Sequence, residues 1–188
     1  VNLNFAQALR SFLRQDPDII MVGEIRDFET VEIAVKAAQT GRLVLSTLHT
    51  NDAPSTITRL THMGVEAFLV ADTVSMIVAQ RLVRRTCSQC REPHMYDKGV
   101  CLEAGMSEEE YENASTMKGG ENSCHHCNGT GLRGRVAVYE ILEITDHMRE
   151  AILGGFSGRE LKMIAVREGM RTLRQSALAK FAQGLTTL

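Results

Sequence analysis

Two Cys-x-x-Cys pairs, Cys87-Ser-Gln-Cys90 and Cys124-His-His-Cys127, constrain this chain more than any other feature. Each pair turns two sulfurs toward one point, and two such knuckles supply the four thiolates of a closed tetrahedral zinc site. The fold must then bring residues 87–90 and 124–127 together and loop out residues 91–123. That loop is longer than a zinc ribbon needs, so it is expected to carry a short helix. Ser107 followed by Glu108-Glu109-Glu110 is a capping box for one. The competing use of paired cysteines is disulfide bonding. No secretory signal is visible, which favours thiolates. An ion on four protein ligands has no open position, so its expected role is structural. His125 and His126 also carry ligand atoms and are read as exposed loop residues. Cys101, the fifth cysteine, is read as a small core residue.

The stretch after the second knuckle, Gly129-Thr-Gly131-Leu-Arg-Gly134, fits the dinucleotide pattern GxGxxG and nearly fits a phosphate loop. Both motifs need a strand before and a helix after. Here a knuckle precedes and a strand-like run, Val136 to Leu142, follows, so the glycines are read as turn formers beneath the metal. A formal charge of −2, no Trp and 5% aromatic residues argue against a general nucleic-acid binder or a base-stacking platform. No apolar run approaches the roughly 18 residues a membrane helix needs. The chain opens on Val-Asn-Leu-Asn-Phe, with no Met and no signal-peptide core, and reads as the start of a piece of a longer protein.

Upstream of the knuckles the periodicity is α/β. Asn4 is placed to cap a helix with Phe5, Ala8, Leu9 and Phe12 on one face, ended by Asp16-Pro17. Ile19 to Val22 and Leu43 to Leu48 are apolar runs of the kind that form buried parallel strands. Between them a helix starts near Asp27, with Val31, Ala34, Val35 and Ala38 inward. Helices are expected at about 53–62 and 66–78. The alternation of strand and helix implies a parallel sheet with right-handed crossovers. Downstream come a strand near 135–143, a helix capped by Ser157 and Glu160, and a last helix over about 172–183.

The two predicted strands end in groups that carry chemistry. Glu24 follows one and His49 follows the other, and open parallel sheets gather ligands at their carboxyl ends. A glutamate there suits holding the hydrated magnesium that bridges nucleotide phosphates, or orienting an attacking water. An imidazole there suits donating a hydrogen bond to a terminal phosphate. Taken alone, each is as readily a capping or solvated residue.

The segments Leu13-Arg-Gln-Asp-Pro-Asp-Ile-Ile-Met-Val-Gly-Glu-Ile-Arg-Asp27 and Thr40-Gly-Arg-Leu-Val-Leu-Ser-Thr-Leu-His-Thr-Asn-Asp52 resemble the Walker B and His-box segments of the secretion ATPase superfamily. That superfamily powers type II secretion and type IV pilus assembly. Ala79-Gln-Arg-Leu-Val-Arg-Arg85, followed by the paired knuckles, resembles its assembly and secretion branch. The resemblance implies a partial RecA-like parallel sheet with flanking helices, a four-cysteine zinc-binding subdomain and a helical C-terminal region. The corresponding divisions are 1–80 for the second half of the ATPase core, 81–135 for the zinc subdomain and 136–188 for a strand and helices. It further implies the C-terminal part of a cytoplasmic homo-hexamer, attached to the bacterial inner membrane through platform and recruiting proteins. Glu24 then matches the Walker B glutamate, associated with magnesium through water, and His49 matches the His-box histidine at the terminal phosphate of ATP. Cys87, Cys90, Cys124 and Cys127 match the zinc ligands.

Two departures stand out. Arg42 occupies a position where many members have a second histidine. The phosphate loop, GxxxxGK followed by Ser or Thr, is absent, and so is the family's acidic motif that follows it. Both precede the Walker B segment in the family's order, so this chain alone is expected to be inactive. Arg10, Arg14 and Arg26 lie in or near the motifs, with ion pairing to Asp16, Asp18 or Asp27 as their simplest use. Two rival readings are a non-enzymatic zinc-finger adaptor, using Arg81, Arg84, Arg85 and Arg91 as a basic patch, and a RecA-type helicase. The acidic run Glu108 to Glu112 and the net charge count against the adaptor.

Overall fold

A computed structural model describes residues 5–120 and 124–188. In chain order the elements are α1 (Phe5–Leu13), β1 (Ile19–Val22), α2 (Phe28–Gln39), β2 (Leu43–Ser46), α3 (Ala53–His62), α4 (Ala67–Thr73), β3 (Met76–Thr86), β4 (Arg91–Pro93), α5 (Lys98–Glu103), α6 (Glu108–Glu112), β5 (Met117–Gly119), β6 (Leu132–Glu143), α7 (Asp146–Leu153), α8 (Gly158–Arg167) and α9 (Leu173–Ala182). They form two compact units. One comprises residues up to 78 with 141–170, the other 79–140 with 171–188.

In the first unit β1 and β2 pair in parallel, from Ile19 opposite Leu43 to Val22 opposite Ser46. Parallel strands need a crossover, and α2 supplies it. Asp27 starts that helix by accepting the Thr30 N–H at 2.8 Å, which satisfies one of the orphan donors of the first turn. Helices α1 and α2 pack together, α4 packs on α7, and α3 packs on α8. Val22, Val31, Ile57, Val70, Met148 and Leu161 are almost wholly buried in this unit.

The proposed cap at Asn4 lies outside the described residues, and three other expectations need correction. In α1 the inward residues are Ala6 and Leu9, while Phe5 and Phe12 are exposed. Close packing on α2 selects the small Ala6 and turns the rings outward. The strands are not buried on both faces: Ile20 and Val22 are buried, whereas Ile19 and Met21 of β1 and Leu43 and Leu45 of β2 are exposed. With α2 packed against β2, the pleat sends alternate side chains to an uncovered face. The helix expected over 66–78 ends at Thr73, and Val74 is already extended. After the extended Val74 and Ser75, Met76-Ile-Val78 goes instead into β3, where the β-branched side chains fit a pleated strand.

β3 and β6 pair as a two-stranded sheet, and residues 79–86 and 132–140 of these strands belong to the second unit. The knuckle loop carries two short helices, α5 and α6, of which the second begins with the expected Ser107–Glu110 capping box. It also carries β4 and β5, paired antiparallel from Arg91 opposite Gly119 to Pro93 opposite Met117. Cys101, Met106 and Phe181 are buried together, with Tyr96, Tyr111 and Leu178 packed around them. Glu140 of β6, 1% exposed, accepts the Leu173 N–H at 3.1 Å and so caps α9 from a neighbouring strand. Among the described residues no helix is long and apolar enough to cross a membrane.

Asp52 caps α3, accepting from Ser55 N at 3.0 Å, and pairs with Lys162 of α8 at 2.8 Å. Burial works against its charge, but Lys162 and Ser55 outweigh it and hold the carboxyl below its ordinary value. A depressed pKa adds stability above the unfolded value and loses it as pH falls through the folded one. Asp52→Ala is therefore expected to cost about 1 kcal/mol near neutral pH, and Asp52→Asn, which keeps the cap, less. Urea unfolding midpoints measure both. The gap between wild type and Asp52→Asn should narrow once pH drops below the unfolded carboxyl's 3.8.

Candidate functional site

The β1–β2 ladder continues beyond the strands. Thr47 Oγ1 donates to the Gly23 carbonyl at 2.7 Å, and Ile25 N donates to the Thr47 carbonyl at 3.0 Å. Both chains therefore leave the sheet side by side, and Glu24 and His49, far apart in sequence, meet at its carboxyl end. His49 Nε2 lies 3.3 Å from Glu24 Oε2. Glu24 Oε1 lies 2.6 Å from an Arg26 guanidinium nitrogen.

Arg26 is the residue that sequence reasoning left unplaced. Neither it nor Arg10 uses the aspartates proposed for them: Arg26 pairs with Glu24, and Arg10 pairs with Glu29 at 3.1 Å. The signal was available in the period of an extended segment, because Glu24 and Arg26, two residues apart, project to the same side. Arg42 serves the turn instead of the site. Its guanidinium donates to the Pro17 carbonyl, to Thr40 Oγ1 and to Asp16.

Arg26 holds the Glu24 carboxyl below its ordinary value against the opposing effect of burial, with a smaller contribution from His49. The glutamate is thus an ionised acceptor at neutral pH, flanked by two donors. Phe5, Gly23, Glu24, Arg26, Thr47 and His49 line a cleft of about 590 Å³. Its chemistry is a fixed carboxylate beside an exposed imidazole and guanidinium, an arrangement able to accept a hydrated cation on one side and an anionic group on the other.

The second constellation is the knuckle pair. The sulfurs of Cys87, Cys90, Cys124 and Cys127 all lie within 4.8 Å of one another. Cys87 and Cys124 are 3.9 Å apart, and Cys90 and Cys127 are 3.7 Å apart. The edge of a tetrahedron of sulfurs at ~2.3 Å from a zinc ion is about 3.8 Å, so the donor set fits such an ion. A disulfide requires about 2.05 Å, and all five cysteines are free thiols.

The surroundings of the sulfurs differ. Cys87 is held down to about 7, chiefly by the His126 ring, with help from the knuckle amides of Gln89 and Cys90. At Cys127 burial pushes the other way, yet the Gly131 N–H at 3.3 Å and the neighbouring thiols bring it to about 7. Cys90 is pushed up to about 12 by burial and by the neighbouring sulfurs. Gly131 sits at φ +68, and a Cβ there would lie 2.9 Å from the Gly119 Cα, so glycine is required both for the turn and for the close approach of two backbones. Its carbonyl accepts the Cys87 N–H at 2.8 Å. The first half of the GxGxxG stretch, Gly129 to Gly131, is thus a turn that supports the knuckles, and its second half is the start of β6.

Residues 1–188 match the family model described as Type II/IV secretion system protein. The type IV pilus assembly ATPase PilB of Myxococcus xanthus (strain DK1622) is 52% identical over 189 residues, covering 100% of this chain and 33% of that protein. The type II secretion system protein E of Pseudomonas aeruginosa (strain ATCC 15692 / DSM 22644 / CIP 104116 / JCM 14847 / LMG 12228 / 1C / PRS 101 / PAO1) is 44% identical over 188 residues, covering 100% of this chain and 36% of that one. The chain thus spans about a third of the length of these relatives. Among solved structures, the pilus retraction motor PilT with bound ADP superposes with a TM-score of 0.67 at 30% identity, over 98% of this chain and 41% of that one.

Because Arg26 is the leading cause of the low Glu24 pKa, Arg26→Ala is expected to move the Glu24 carboxyl titration upward, toward its ordinary 4.5. Carboxyl carbon shifts followed by NMR through the acid range give the midpoint. An unchanged midpoint would show that the pairing is not maintained in solution.

Proposed function

The chain belongs to the Type II/IV secretion system protein family, and on that premise we propose that it is the C-terminal part of a hexameric motor ATPase whose ATP hydrolysis drives type IV pilus assembly or type II protein secretion. The observation that carries this reading is the meeting of Glu24 and His49 at the carboxyl end of a parallel strand pair, the place where α/β sheets bind nucleotides. The higher identity to a relative named as a pilus assembly ATPase, 52% against 44% for one named as a secretion protein, favours the pilus arm.

In this reading residues 1–80 are the second half of a RecA-like core, 81–135 a zinc subdomain, and 136–188 a strand with helices. ATP occupies the Glu24–His49 cleft, whose volume falls in the range of small-molecule sites. Glu24, kept ionised, accepts hydrogen bonds from the waters of the magnesium that accompanies the nucleotide. His49 donates from its ring to the terminal phosphate. Arg26 sets the charge of Glu24 and stands ready to neutralise phosphate oxygens. Magnesium, when bound, offsets the charge that develops on the transferring phosphoryl group. Zinc on Cys87, Cys90, Cys124 and Cys127 is a staple that stiffens the second unit. The working protein is cytoplasmic and acts against an inner-membrane platform and its recruiting proteins, without nucleic acid, by rigid-body domain rotation.

GxxxxGK followed by Ser or Thr is absent from these residues, and with it the amides and lysine that cradle phosphates. The isolated chain is therefore expected to show no saturable ATP binding in the micromolar range by calorimetry. In the full-length protein Glu24→Gln is expected to lower steady-state ATPase turnover by about 100-fold or more while nucleotide binding is kept. Turnover unchanged by that substitution would refute the assigned site. For the metal, elemental analysis should find one zinc per chain. An excess of strong chelator should unfold the second unit, because ions on such thiolate sets contribute roughly 10–16 kcal/mol in model peptides. A chain that stays fully folded without metal would overturn the staple.

A further inference from the structure

Of the two histidines in the second knuckle, the structure uses one. His125 is exposed. His126 is half-buried, and its Nδ1 lies 3.3 Å from the Cys87 sulfur. Arg133 Nη1 donates to the His126 carbonyl and fixes the backbone from which the ring reaches inward. Cys87 has no exposed surface, so water does not solvate its sulfur. Four thiolates around a divalent ion carry an excess of two negative charges, and charge buried without hydrogen bonds is costly. Cys127 is relieved by the Gly131 N–H at 3.3 Å. At Cys87 the imidazole takes the corresponding place, beside the knuckle amides.

Resting on the zinc reading above, we propose that His126 is the positioning residue of the metal site: with an ion held by Cys87, Cys90, Cys124 and Cys127, its ring N–H donates to the Cys87 sulfur from outside the coordination sphere. A thiolate offers only lone pairs, so the arrangement assigns the proton to Nδ1. The ion keeps four sulfurs, and the imidazole orients one of them and lowers its basicity. Partners of this kind are commonly worth ~10–100-fold in metal affinity.

The test uses the full-length protein and three substitutions, His126→Phe, His126→Gln and His125→Phe. Zinc affinity is read by competition with a chelator, and coordination by the ligand-field bands of the cobalt(II) form. His126→Phe should weaken zinc binding by ~10-fold or more, His126→Gln, which restores an N–H donor, should recover most of the loss, and His125→Phe should change nothing. The cobalt bands should report four sulfurs in all four proteins. Two results would overturn the proposal: a His126→Phe protein with wild-type affinity, which makes His126 an ordinary loop residue, or a change of the cobalt bands in that variant, which makes it an inner ligand in place of a cysteine. Wild-type protein that takes up no metal would instead refute the zinc site itself. If His126→Phe fails to fold, nitrogen-15 spectra of the zinc-loaded wild type decide the matter. A ring N–H on His126 that is slowed in exchange by metal supports the proposal, and one that exchanges freely refutes it.

Discussion

The parallel register of β1 against β2 fixes everything at the candidate site, because a strand has only two faces and a slip of one residue exchanges them. Val22 opposite Ser46 puts the next residues of both chains beyond the same end of the sheet. The Thr47–Gly23 and Ile25–Thr47 hydrogen bonds then hold the departing chains together. Glu24 and His49 are brought to 3.3 Å by that pairing. The caps at Asp27 and Asp52 start the following helices immediately after the functional residues, so the site stands between a rigid strand end and a rigid helix start on both sides.

The second unit solves a different problem. Its knuckle loop has little regular structure: three-residue strands β4 and β5, and helices of six and five residues. Elements so short are marginal in water. Two devices offset this. One is the small aromatic cluster around Cys101 and Phe181, and the other is the set of four sulfurs within 4.8 Å of one another, two pairs of them at nearly the edge length of a tetrahedron. The fifth thiol belongs to the first device and not to the second, and burial pushes the Cys101 thiol up, which keeps it protonated.

Much of this was legible in the sequence because it rests on local chemistry. Capping boxes announced α6 and α8, and Asp27 marked the start of α2, since an aspartate or serine ahead of an apolar periodic run has few other uses. Residues with ligand spacing announced the sulfur cluster. What was misread depends on neighbours rather than on period. Ile19, Met21, Leu43 and Leu45 have the composition of a doubly covered strand, and only the three-dimensional arrangement reveals the open face. Met76 to Ala79 continues the apolar run of α4 with no Gly or Pro between them, and the change to β3 is marked by little more than Val74. Arg26 and His126 were given the wrong surroundings for one reason: each stands against a recognised functional residue, Glu24 or Cys87, and a motif names ligands and acids rather than the side chains that tune them.

The contact between Gly119 and Gly131 has a bearing on how mutational data from this region are interpreted. Neither residue has a side chain that could ligate the metal, yet a methyl group on either would wedge the strand of one knuckle away from the turn of the other. The sulfurs would then lose their spacing although every cysteine remained. A survey of variants scored by metal content alone would therefore rank two glycines beside the ligands, and only thiol counting would tell the hinge pins from the hooks.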